Sequence, residues 1–470
     1  MVTTLSFGWS RARARPSGAS PALTLTAMSL GFALVQLDVT VVNVALKTIG
    51  SSLGGGISAL QWVVNAYTVV FASLILTSGA LGDRLGAKRL FIGGFIVFVT
   101  GSMACGAAPS LLILIGARAV QGIGASVLVP CSLALLDHTY QEPGPRAKAV
   151  GIWAGVAGVA LAAGPVIGGV LIASVGWRAI FFINLPLGLL GIWLTMRYAG
   201  ESTQSRDRPL DLTGQTAAVI AAAALAAAMI EGGAIGWSNA LVIAGFGVFV
   251  VAGALFLTVE AWKTSPMLPL SFCRNRTFTA ASMVGLLINL AFYGLIFVLS
   301  LYFQQIKKFT PLITGLAFMP MTVIVVAANI VAGQVSAWLG ARPPMILGQA
   351  IFAVGCLLLV AIGTNTPYSG LWWQTIMMGA GIGLTVPPMT SALLATVPNK
   401  QSGAASGVLN TTRQLGSVIG VALFGSLIAG REHFVPGLHL ALYVSAIVLL
   451  IGAVAALIGI RDEQLANDRN

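Results

Sequence analysis

Long apolar runs, each ended by a short polar stretch, set the pattern of this chain. Counted between the polar breaks there are fourteen: 22–45, 59–80, 89–108, 110–134, 147–171, 178–198, 212–231, 239–260, 277–301, 312–336, 344–363, 370–395, 404–430 and 438–460. A helix needs roughly 20 apolar residues to cross a bilayer, and each run has about that length. The runs are apolar on every side, whereas barrel strands alternate apolar and polar positions. The pattern therefore predicts helices, and an all-α integral membrane protein.

Composition agrees. Of 470 residues 57% are hydrophobic and 8% charged, with mean hydropathy +0.93. A soluble domain carries about 25% charged residues, so that class is excluded. The 56 glycines suit helices that approach closely in lipid. Cys105, Cys131, Cys273 and Cys356 are scattered, with no metal-ligand spacing, and read as free thiols.

A net charge of +12 raises the question of nucleic acid, but the placement of the charges answers it. An even number of crossings puts both termini on one side. If that side is cytoplasmic, eighteen of the 25 Lys and Arg fall there, five fall on the other side, and Arg118 and Arg413 lie inside runs. This is the positive-inside asymmetry, so the lipid bilayer of the cell membrane is the expected partner and nucleic acid is not. Arg11, Arg13 and Arg15 resemble a signal-peptide n-region. The run after them is too long for one, so it reads as a retained first helix.

The chain repeats. Gly79-Ala-Leu-Gly-Asp83-Arg84-Leu85-Gly86-Ala87-Lys88 aligns with Gly333-Gln-Val-Ser-Ala337-Trp338-Leu339-Gly340-Ala341-Arg342, on the same side, after spans 2 and 10. Parallel repeats are a transporter signature. Two six-helix halves would place the second copy after span 8, so two helices are extra, and spans 7 and 8 are the simplest choice. The expected division is a tail at 1–21, a six-helix bundle at 22–200, two linker helices within 201–270, a second bundle at 271–460 and a tail at 461–470.

Charge at membrane depth is expensive and by default functional. Asp38 lies about seven residues from the outer end of span 1, and Arg118 about eight from the outer end of span 4, which is similar depth at roughly 1.5 Å per residue. Such a pair either exchanges a proton as its surroundings change or statically fixes two helices. Arg413, in span 13, has no carboxylate at its depth in a neighbouring span. It is expected to bond carbonyls or a substrate anion. Asn43 and Gln121 are further candidates for substrate contact or helix pairing. Glu231 and Glu260 lie at span ends and are expected to be solvated.

The loop with Gly79, Asp83, Arg84, Gly86, Lys88 and Arg89 is either plain topology or a gate in which Asp83 pairs with a base in one conformation. The second copy has Ala337 in place of Asp83, so any such latch is asymmetric. Gly158, Gly164, Pro165, Gly168 and Gly169 in span 5 predict a hinge or seal, with a kink at Pro165. No nucleotide-binding loop, catalytic triad or histidine cluster occurs. The chain is therefore read as no enzyme, with no cofactor and no metal, and with a proton gradient as its energy source.

Together these stretches resemble the major facilitator superfamily, in its fourteen-helix drug:proton antiporter branch. Leu37-Asp38-Val39-Thr40-Val41-Val42-Asn43-Val44-Ala45-Leu46 is similar to that branch's span 1 signature, with Lys47 where it has proline. The 79–90 loop, 114–124 with Arg118, Gln121 and Gly122, the span 5 glycines, 176–188 and 410–416 also resemble it. The resemblance implies two pseudo-symmetric six-helix bundles plus two extra central helices, around a cavity with alternating access. It implies a monomer, Asp38 and Arg118 as proton-coupling residues, and export of hydrophobic, often cationic, drugs or antibiotics. The alternative is a narrow exporter of one metabolite such as a host-made antibiotic. Some relatives that export dications carry an acid in span 10; run 312–336 has none.

Overall fold

The computed structural model describes residues 20–201, 211–263, 270–398, 401–429 and 434–461. Arg11, Arg13, Arg15, Arg206, Arg208, Lys400, Arg431 and Arg469, with most of both expected tails, lie outside them. Within the described residues there is no strand, and fourteen helices are long and apolar enough to cross a membrane. They are α1 (Pro21–Leu53), α2 (Ile57–Leu85), α3 (Ala87–Ala107), α4 (Leu111–Thr139), α5 (Gly144–Ser174), α6 (Ala179–Tyr198) and α7 (Leu212–Ile235). Then follow α8 (Ala240–Trp262), α9 (Arg276–Ile306), α10 (Pro311–Leu339), α11 (Arg342–Leu359), α12 (Trp372–Ala395), α13 (Ser402–Ala429) and α14 (Phe434–Gly459).

The helix ends follow local chemistry. Asn275 Oδ1 accepts the amides of Thr277 and Phe278 at 2.9 and 3.2 Å, and Asp211 Oδ1 accepts that of Gly214 at 2.7 Å. These are side-chain N-caps that satisfy donors a helix start leaves open. The two repeat copies end alike: Gly86 after α2 has φ +98° and Gly340 after α10 has φ +83°. Only glycine takes that left-handed turn cheaply, which is why the repeat keeps a glycine there while its charges diverge. We call the face carrying these two loops the loop face and the opposite one the far face.

Several helices outrun the apolar runs that predicted them. α1 continues to Leu53, so Lys47 sits on the helix and not in a loop. α6 is interrupted at Ile183. α9 closes on a π-turn over Tyr302–Ile306.

α7 packs over the seam where α2 meets α13. Ala222 and Ala226 bury against Val69 of α2 and Val418 of α13. A Cβ on Gly233 would lie 2.6 Å from Ser426 Cα. Gln215 donates to the Ser73 carbonyl at 2.7 Å. The alanine-rich face of α7 is what allows this close seat. α8 lies outside it, with Leu241, Val250 and Val251 exposed as lipid-facing side chains.

The α7–α8 hairpin is pinned at the loop face by an ion pair between Lys263 and Asp211. Burial pushes the Asp211 carboxyl up, but the Lys263 ammonium and the Gly214 amide outweigh it and hold the group below its ordinary value. A depressed carboxylate stabilises the fold above its unfolded pKa of about 3.9 and loses that contribution as pH falls through the folded value. Thermal unfolding of Asp211→Asn is expected to fall below wild type at neutral pH and converge with it near pH 3. A constant difference across that range would refute the pairing.

Glu260, in the last turn of α8, is 2% exposed, and Glu231 accepts the Trp62 indole N–H at 3.0 Å. Glu260 is therefore not the solvated span-end group that the sequence suggests, while Glu231 stays partly exposed. A span-end carboxylate reaches water only if no neighbouring helix covers it. Here the hairpin packs Glu260 of α8 against the start of α7 at Gly214 and seats α7 against α2.

Candidate functional site

Asp38 sits mid-way along α1 with no solvent exposure, and Arg118 of α4 is 1% exposed. The Arg118 Nη1 donates to Asp38 Oδ2. The other carboxylate oxygen, Oδ1, accepts Gln121 Nε2 at 2.8 Å and Asn184 Nδ2 at 3.3 Å. Arg118 is held in turn: Nε donates to the Val63 carbonyl at 3.1 Å, and Nη1 also donates to Gln121 Oε1 at 2.8 Å. Its guanidinium lies 4.3 Å over the Tyr67 ring, a cation–π seat.

A further layer fixes the amides. Ser102 Oγ of α3 accepts both Gln121 Nε2 at 3.1 Å and Asn184 Nδ2 at 2.8 Å, and donates to the Phe181 carbonyl at 2.9 Å. That carbonyl lies beside the break in α6, and Asn184 starts the helix again immediately after it. Helices α1, α2, α3, α4 and α6 therefore converge on one carboxylate. A buried ion pair repays its desolvation only when its remaining hydrogen bonds are made, and here Asp38 has them.

The expected pairing of Asp38 with Arg118 is present. Gln121 serves helix pairing, clamped between Asp38, Arg118 and Ser102. Asn43 lies one turn beyond Asp38 toward the far face, donates to its own helix at Val39 O (2.9 Å) and lines a central cavity. Ser102, Tyr67 and Asn184 were not singled out from sequence. The available signal was weak: neutral polar residues inside apolar runs.

Two cavities lie between the bundles. One is bounded by Asn43, Tyr67, Thr68 and Arg118 on one side and by Tyr293, Ser417 and Val421 on the other. The second is apolar, lined by Leu161, Phe292, Ile296, Phe318, Met321 and Val325, with Thr40 and Thr322 as polar points.

The far-face ends of the two bundles meet closely. Gln61 Nε2 donates to the Val421 and Ala422 carbonyls at 2.9 and 2.7 Å. Ser300 Oγ donates to the Asn43 carbonyl at 2.6 Å, and Lys47 Nζ to that of Gln304, in the α9 π-turn, at 2.6 Å. Lys47, which replaces the proline of the resembled motif, thus ties α1 to α9.

Span 5 contributes through its small residues. A Cβ on Gly168 would lie 2.8 Å from Val41 Cγ2, and one on Gly169 2.8 Å from the Pro311 carbonyl. Gly164 is pressed against Thr40, and Gly315 of α10 against the Pro165 carbonyl. Pro165 cannot donate to the carbonyl four residues back. That carbonyl, of Leu161, accepts Thr40 Oγ1 at 3.1 Å instead. α5 accordingly runs on as one helix through the expected kink. Gly158 does not belong with the others: nothing lies within 4 Å of where its Cβ would be, and the same holds for Gly151 and Gly155. Crowding at the glycines of α5 is confined to the far-face half. Toward the loop face its glycines look into open space.

Lys88 and Arg89 work within one bundle. Lys88 Nζ donates to the carbonyls of Met196 and Ala199 at 3.1 and 2.7 Å, its amide donates to Glu201, and Arg89 lies 3.7 Å from Glu201. Together they cap the end of α6. Arg84 is exposed. Gly82 packs near Cys131, and Gly79 has ordinary contact with Pro130.

Residues 28–421 match the profile of the Major Facilitator Superfamily. The chain belongs to this superfamily. It is similar to a methylenomycin A resistance protein of Streptomyces coelicolor, 35% identical over 97% of this chain and 96% of that one. It is also similar to the multidrug resistance protein Stp of Mycobacterium tuberculosis, 35% identical over 87% of this chain and 76% of that one. Among solved structures, a D-xylose–proton symporter shares the fold, with TM-score 0.69 and 13% identity over 94% of this chain and 99% of that one. The protein is thus a multi-pass membrane protein of a transporter superfamily, with named drug-efflux and antibiotic-resistance proteins among its relatives.

Proposed function

We propose that this protein exports hydrophobic antibiotics or drugs across the cell membrane in exchange for protons, by alternating access between the two bundles. The buried Asp38 network carries the reading: a carboxylate saturated by Arg118, Gln121 and Asn184, adjoining a cavity between the bundles. Protonation would weaken its hold on Arg118, and a moved Arg118 would disturb the cavity wall it forms. The loop face is taken as cytoplasmic, supported by the excess of Lys and Arg assigned to it. Far-face closure then corresponds to the state that loads substrate from inside. No nucleotide or cofactor enters the cycle, and a monomer suffices, since both bundles lie in one chain.

A narrower reading, export of one metabolite, is supported by the Streptomyces relative, which is named for a single antibiotic. A susceptibility panel in an efflux-deficient host tests both. Expression is expected to raise resistance to several unrelated hydrophobic compounds, and an uncoupler to abolish the gain. Resistance to one compound class alone would favour the narrow exporter. Resistance that survives collapse of the proton gradient would refute proton coupling.

A further inference from the structure

Arg413 of α13 is a second arginine at membrane depth, and it is not held as Arg118 is. It lies on the helix face that carries Ser417 and Val421, which line the central cavity, one turn nearer the loop face. Its stem crosses α9 at Gly285, where a Cβ would stand 3.2 Å from Arg413 Cγ. Its Nε is buried without a hydrogen-bond partner. Among the described residues no ion pair involves Arg413.

No carboxylate in the described spans stands ready to meet a cation in the cavity. Asp38 is fully buried and already accepts from Arg118, Gln121 and Asn184. Glu231 faces Trp62 near the far face, and Glu260 is buried at the loop-face end of α8. Asp83 and Asp137 lie in the last turns of α2 and α4. The uncompensated charge between the bundles is therefore positive. While the loop face is open, water can solvate it. When both faces close around a substrate that water is lost, and an unpaired cation in a low-dielectric space is costly. A substrate that brings its own anion removes the cost, and a guanidinium suits a carboxylate in particular because its planar fork can bond both oxygens.

We propose that Arg413 selects substrates by charge: the site between the bundles takes hydrophobic molecules bearing a carboxylate, with the acid on Arg413 and the apolar body toward the cavity that Ser417, Val421 and Tyr293 line. This deepens the exporter reading and rests on it for the direction of transport. It departs from the cationic substrates that the family resemblance implies, and it gives the unpaired guanidinium a partner.

The test is binding of three matched probes to the purified full-length protein in nanodiscs: naphthylacetate, neutral naphthylacetamide, and cationic naphthylmethyl-trimethylammonium. Wild type is expected to bind the acid about tenfold more tightly than the amide, the scale of one charge-assisted hydrogen bond, and the cation most weakly. Arg413→Gln is expected to erase the preference of acid over amide, and Arg413→Lys to retain part of it. If Arg413→Gln does not fold, Gly285→Ala, which crowds the Arg413 stem, should lower the same ratio. Equal or tighter binding of the cation by wild type, an acid preference that survives Arg413→Gln, or no binding of the acid at all would each overturn the proposal. Proteoliposomes with an imposed pH gradient separate the two readings. Failure of the gradient to move any probe counts against proton-coupled export, while the binding ratio decides charge selection on its own.

Discussion

Replacing Asp38 with asparagine is expected to abolish proton-gradient-driven export while leaving gradient-independent exchange of substrate across the membrane. Asparagine nearly matches aspartate in shape, so the amide groups of Gln121 and Asn184 keep a partner at its oxygen. It cannot take up and release a proton in the physiological range, so a cycle that requires that step stops. The cost in stability falls on Arg118, which loses its counter-charge at 1% exposure. Removing one partner of a buried pair typically costs about 3–5 kcal/mol. Here the Val63 carbonyl, Gln121 and the Tyr67 ring remain around the guanidinium, which places the expected loss near the lower end. The double variant Asp38→Asn/Arg118→Gln should recover stability without recovering driven export. Counterflow of labelled substrate in proteoliposomes, with and without a pH gradient, measures both properties. Gradient-driven accumulation by Asp38→Asn at the wild-type rate would eliminate Asp38 as the coupling group. Loss of exchange as well, in a folded variant, would make the pair a structural fixture.

The sequence made this pairing legible because depth is easily counted in a membrane helix. Two charges at matching distances from the same face have few other partners in hydrocarbon. The supporting shell was not legible for the same reason in reverse. Ser102 and Asn184 are neutral and occur within apolar runs, and their value depends on rotation about the helix axis, which run-counting does not supply. The fourteen helices could be read because bilayer thickness sets their length. Their ends could not, since a helix that leaves the hydrocarbon continues until a cap or glycine stops it. That is how Lys47 came to lie on α1, in reach of the α9 π-turn. Glu260 misled because span-end position says nothing of what packs over it. In span 5 the glycine pattern predicts close approach correctly for Gly164, Gly168 and Gly169. It fails at Gly158, because only the partner helix shows where contact ends.

Gly315→Leu is expected to open the far face and stall transport. The glycine of α10 meets backbone: its Cβ would collide with the Pro165 carbonyl oxygen and stand 2.9 Å from the carbonyl carbon and 3.2 Å from Val166 Cα. No rotamer change of a neighbour relieves such a clash, so α10 must move away from α5. Overpacking of a close-packed interface typically costs about 1–3 kcal/mol, and each 1.4 kcal/mol shifts a two-state equilibrium roughly tenfold. The strain acts only where α5 and α10 touch, and they touch in the far-face half. The state with that half separated is therefore relieved of it, and the population moves in one direction. Ser300, fully buried at the seal where it bonds the Asn43 carbonyl, supplies the reporter. In a background lacking the four native cysteines, Ser300→Cys should react with a polar maleimide roughly ten times faster when Gly315→Leu is present. Driven export should fall with it, because a transporter held open on one face does not return to load. Gly158→Leu supplies the control: its Cβ would meet nothing within 4 Å, and it should leave Ser300→Cys labelling at the background rate. Equal labelling in all three proteins would show that the α5–α10 contact does not hold the far face closed.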